Sequence, residues 1–70
     1  MLLMTIKVSK RVLDGIKFVR DTGRTNMLDF YMVQRIAYEN EYYDTVIWME
    51  KNKNLYTRGI FEGFEIEDIL

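Results

Sequence analysis

Residues 9–23 read Ser9-Lys10-Arg11-Val12-Leu13-Asp14-Gly15-Ile16-Lys17-Phe18-Val19-Arg20-Asp21-Thr22-Gly23. Val12, Ile16 and Val19 recur at i, i+4 and i+7, and Leu13 widens the stripe, so one side of a helix is apolar. Lys10, Asp14, Lys17 and Asp21 fall on one flank with alternating sign, as an exposed helical face does. Ser9 is a good N-cap, and Gly23 stands at the C′ position where glycine ends helices. The segment predicts an amphipathic helix with both ends marked.

Downstream, residues 22–28 read as a loop, and Asp29 caps a second helix over Phe30–Glu39 that buries Phe30, Val33, Ile36 and Ala37. Asn40 is suited to the left-handed conformation that would end it. A third helix is expected over Glu41–Lys51, acidic at its start and basic at its end. Its shared face is read as Tyr43, Val46, Ile47 and Glu50. Asn54 would cap a last helix, Leu55–Glu62, closed by Gly63. Upstream, Leu2, Met4, Ile6 and Val8 alternate with Leu3, Thr5 and Lys7, a period of two. The tail Phe64-Glu65-Ile66-Glu67 alternates again, so the two ends either pair as short strands or stay loose. The fold class predicted is mainly α, a three- to four-helix bundle in one domain spanning residues 1–70.

The composition limits the chemistry. About half of the 70 residues are apolar (49%) and 30% are charged, which suits a globular chain. There is no cysteine, so disulfides and thiolate metal sites are excluded. There is no histidine either, which removes the commonest nitrogen ligand and the usual near-neutral proton shuttle. Ser9, spent as a cap, has no imidazole to activate it. The pairs Glu39/Glu41 and Glu65/Glu67 do not converge at i,i+2 spacing, and the glycines are too dispersed for a phosphate cradle. The expectation is a protein without catalysis, metal or cofactor. So small a chain has a modest core, which makes homodimerisation a real option. Met1–Val8 is too short for a signal h-region and is followed, not preceded, by basic residues. No stretch approaches a membrane span. A soluble, cytoplasmic protein is expected.

Charge is uneven. Residues 1–28 carry Lys7, Lys10, Arg11, Lys17, Arg20 and Arg24 against Asp14 and Asp21; residues 29–70 carry nine acidic side chains against four basic ones. The segment Tyr38-Glu39-Asn40-Glu41-Tyr42-Tyr43-Asp44, with Trp48 one turn later, holds more rings than one helix face can bury. Tyr and Trp are enriched at interaction hot spots. Tyr38, Glu39, Glu41, Tyr42, Tyr43, Asp44 and Trp48 are therefore the candidate partner-binding residues, with a homodimer seam or core packing as the alternatives. A second candidate patch, for a carboxylate, phosphate or backbone edge, gathers Arg20, Arg24, Asn26 and Arg35 with Gln34. Its plainer reading is that Thr25 and Asn26 satisfy loop backbone and the arginines are solvated. Nucleic-acid binding through Lys10, Arg11, Lys17, Arg20 and Arg24 is the rival reading. The expected third helix would make a poor recognition helix, because Glu41, Asp44 and Glu50 repel phosphate.

The run from Ile16 to Asp29, containing Asp21-Thr22-Gly23-Arg24-Thr25-Asn26-Met27, followed by Val33-Gln34-Arg35-Ile36-Ala37-Tyr38-Glu39 and by Tyr42-Tyr43 and Trp48-Met49-Glu50, resembles a family of very short proteins from phages and prophages of Gram-positive bacteria, a domain of unknown function. The likeness covers roughly residues 11–63. It implies a mobile-element origin and a host-cytoplasmic location, and it brings no activity or binding residues. Small phage proteins commonly inhibit host enzymes, CRISPR nucleases among them. The resulting expectation is a phage-encoded interaction module that inhibits a host defence or replication protein. A structural subunit of a phage assembly is a further reading.

Overall fold

The computed structural model describes residues 4–67. In chain order the elements are β1 (Ile6–Val8), α1 (Lys10–Thr22), α2 (Phe30–Glu39), α3 (Tyr43–Lys51), α4 (Lys53–Glu62) and β2 (Phe64–Ile66). The mainly α class is as the sequence predicts, and of the two alternatives for the ends the structure shows paired strands. Leu2 and Leu3, read as part of the first alternation, lie outside the described residues. The strands are parallel, Ile6 opposite Phe64 and Val8 opposite Ile66. A parallel pair needs a crossover connection, and here the four helices together supply it.

Helix α1 forms where its stripe and caps place it. The Ser9 hydroxyl accepts from the Val12 N–H, and Gly23 takes the left-handed conformation at φ 64°. Val12, Leu13, Ile16 and Val19 are buried with Val33, Ile36 and Ala37 of α2, Met49 of α3, Tyr56 of α4, and Ile6 and Val8 of β1. Asp29 caps α2 by accepting from the Met32 N–H.

The α2–α3 joint departs from expectation. Asn40 stays at φ −108° and Glu41, with φ 67°, takes the left-handed conformation instead. The Tyr42 N–H donates to the Ala37 carbonyl and the Glu41 N–H to the Tyr38 carbonyl. Those two bonds are a Schellman motif with Glu41 at the position where glycine is usual. Asn40 is used differently: its side-chain amide donates to the Ile36 carbonyl. Because Glu41 closes α2, α3 begins at Tyr43 and not at Glu41.

The inner face of α3 also differs. Thr45 and Met49 are fully buried, whereas Ile47 is exposed and Tyr43 is half in solvent. The cause lies in α1. Gly15 has no side chain, and a Cβ there would stand 2.8 Å from Thr45 Cβ and 2.9 Å from Tyr42 Cβ. The close crossing admits Thr45, whose hydroxyl donates to the Val12 carbonyl at 2.9 Å. A buried hydroxyl with a carbonyl partner costs little, so the small polar residue takes the inner position and the larger Ile47 turns out. Finally, α4 starts at Lys53, with Asn52 serving both helices: its amide donates back to the Trp48 carbonyl and its carbonyl accepts from the Tyr56 N–H. Asn54, expected as the cap, sits inside the first turn.

Candidate functional site

The joint between α2 and α3 gathers most of the predicted partner-binding residues. Tyr38 leaves the last turn of α2 and Tyr43 opens α3; their rings meet edge to face with centroids 5.5 Å apart. Both are largely open to solvent, 60% and 49% exposed. Beside them, Arg11, Asp14, Glu41, Tyr42, Tyr43 and Asp44 line a hollow of ≈ 330 Å³. Three carboxylates thus face one guanidinium there, with Arg11 Nη1 3.7 Å from Asp44 and Asp14 already held by Lys10 at 2.9 Å. Glu39 points elsewhere on the rim, pairing with Arg35 at 3.3 Å.

The rings do not all serve this surface. Tyr42 is half-buried and packs on Phe18, centroids 5.0 Å apart, so it forms the wall of the hollow. Trp48 is not brought to the corner; it packs edge-on against Phe64 at 6.1 Å beside the core. Among the described residues no group of three or more His, Cys, Asp or Glu is arranged to hold a metal ion.

The amides of the second patch are used inside the fold, whereas Arg20, Arg24 and Arg35 are exposed. Asn26 Oδ1 accepts from the Leu28 N–H at 2.8 Å, an Asx turn, and Gln34 donates to the Val46 carbonyl at 3.1 Å. Arg35 is engaged by Glu39, and Arg20 meets Asp21 at 3.5 Å. The basic first helix is likewise divided. Lys10 and Arg11 at its start pair with Asp14 and Asp44, whereas Lys17 and Arg20 stand over a separate groove against α4.

Two structural residues carry no sequence signal that singles them out. Tyr56 is buried, and its hydroxyl donates to the Met27 carbonyl at 2.6 Å, pinning the α1–α2 loop to α4. Burial pushes its phenol well above the ordinary value of 10.0. Thr45 is legible only once the Gly15 crossing is known.

The fold and this corner define a small helical domain whose ends are tied by parallel strands and whose second helical joint presents an acidic, aromatic surface. The chain belongs to the family called domain of unknown function DUF5049, whose model matches residues 4–64. No curated protein and no solved structure matches it. Among the described residues no helix is long and apolar enough to cross a membrane.

Proposed function

We propose that the protein is a protein–protein interaction module, not an enzyme, and that the α2–α3 corner receives a basic surface of its partner. The observation that supports this is the pair of exposed tyrosines beside a hollow with three carboxylates and one arginine. A partner arginine or lysine entering that hollow would meet acceptors on several sides while its stem packs on Tyr43. Tyrosine gives rigid contact area with a polar tip, at low entropic cost. The finer reading is a phage-encoded, cytoplasmic inhibitor of a host defence protein such as a CRISPR nuclease, acting by occlusion. It rests on the family resemblance and on the habit of small phage proteins.

The test is capture from nuclease-treated host lysate with the tagged chain and with a Tyr38→Ser/Tyr43→Ser/Asp44→Lys variant. The reading expects one stoichiometric basic-faced protein with the first and none with the second, the helical circular dichroism being equal. Equal recovery by both would remove the corner from the function. Recovery of nucleic acid alone, in a parallel capture without the nuclease step, would favour the nucleic-acid-binding reading, although Lys10 and Arg11 are already engaged by carboxylates.

A further inference from the structure

The groove between α1 and α4 has a chemistry opposite to that of the acidic corner. Leu13, Ile16, Lys17 and Arg20 lie on one ridge of α1, and Ile60 and Phe64 face them across ≈ 260 Å³. Leu13 and Ile16 are buried and form the floor; Ile60 and Phe64 are half-buried walls. Among the described residues no carboxylate lines the groove. Lys17 has no ion pair among the described residues, and Arg20 has there only its chain neighbour Asp21, at 3.5 Å with both side chains more than half exposed. An exposed pair of that kind is weak, so the guanidinium is open to a better acceptor. The hollow is smaller than the ~300–1,000 Å³ usual for a small-molecule site but roomy enough for one large side chain.

We propose that this groove binds an acidic peptide segment that presents one bulky apolar side chain flanked by carboxylates. The apolar side chain enters between Ile16, Ile60 and Phe64, displacing water from an apolar floor. The flanking carboxylates pair with Lys17 and Arg20, the arginine being able to bind one in bidentate fashion. The site is independent of the acidic corner, lying further along α1 and selecting the opposite charge.

The experiment is a two-dimensional ¹H–¹⁵N titration of the whole labelled chain with blocked hexapeptides. One has Leu-Phe between two pairs of Glu, one has Ser-Ser between the same pairs, and one has Leu-Phe between two pairs of Lys; oligothymidylate is a fourth ligand. The proposal expects saturable shifts at Leu13, Ile16, Lys17, Arg20 and Ile60 with the first peptide only. A Lys17→Glu/Arg20→Glu variant, folded by circular dichroism, should bind that peptide at least about tenfold more weakly and accept the Lys-flanked one. No shift up to about 1 mM would overturn the proposal. So would equal binding of the Ser-Ser peptide, shifts centred on Tyr43 and Asp44, or the same groove shifts with oligothymidylate.

Discussion

At the scale of single residues, two positions carry opposite kinds of constraint. Gly15 is a glycine because α3 leaves no room for anything larger; besides the Thr45 hydroxyl, a Cβ would meet Thr45 Cβ and Tyr42 Cβ, which are fixed to the backbone and cannot swing away. Gly15→Ala should destabilise the fold by about 1–3 kcal/mol despite alanine's better helix propensity, read by denaturant melts. Glu41 is the reverse case: a side chain held at φ 67° where glycine would sit without strain. Glu41→Gly should raise stability by roughly 0.5–1 kcal/mol, the left-handed penalty outweighing the added freedom of the unfolded chain. A drop on that substitution would mean the Glu41 side chain makes a stabilising contact in solution. Neither residue is decided by its own identity. Asn40 looks the better left-handed residue, and only the pair of bonds from Glu41 and Tyr42 back to α2 moves the turn by one.

At the scale of elements, legibility followed the strength of the local pattern. Helices α1 and α2 have apolar stripes at helical spacing and a side-chain cap each, and their observed bounds match those signals. Helix α3 has no side-chain cap and buries a threonine in place of Ile47, so its face could not be read without knowing what it packs on. The candidate site divides along the same line. Tyr38, Glu39, Glu41, Tyr43 and Asp44 reach the surface because they flank a helix joint, while Tyr42 and Trp48 find neighbouring rings, Phe18 and Phe64, that sequence distance hides. Those contacts make a prediction. Trp48→Ala should lower the melting temperature, since a half-buried ring packed on the core is lost, whereas Tyr38→Ser should leave it within the range of ordinary surface changes, about ±0.5 kcal/mol. Thermal melts of the two variants side by side distinguish a packing ring from a contact ring.

At the scale of the molecule, the loop between α1 and α2 is tied to α4 through one hydroxyl, and that tie gives the whole fold a pH dependence. Tyr56 donates to the Met27 carbonyl from a buried position, and burial raises its phenol above the ordinary 10.0. The neutral form is the one the folded state accommodates, so the folded chain resists losing that proton while the unfolded chain gives it up near its ordinary value. The stability linked to Tyr56 is therefore complete below about pH 10 and is lost as pH rises beyond it, the unfolded state then binding fewer protons than the folded one. Denaturant midpoints of the wild type should fall steadily above pH 10. Tyr56→Phe lacks the hydroxyl and should lose about 1 kcal/mol at neutral pH, because the Met27 carbonyl loses its donor, while declining less steeply in alkali. Parallel slopes for the two proteins above pH 10 would mean that other groups drive alkaline unfolding. They would also mean that Tyr56 holds the loop without coupling it to the proton.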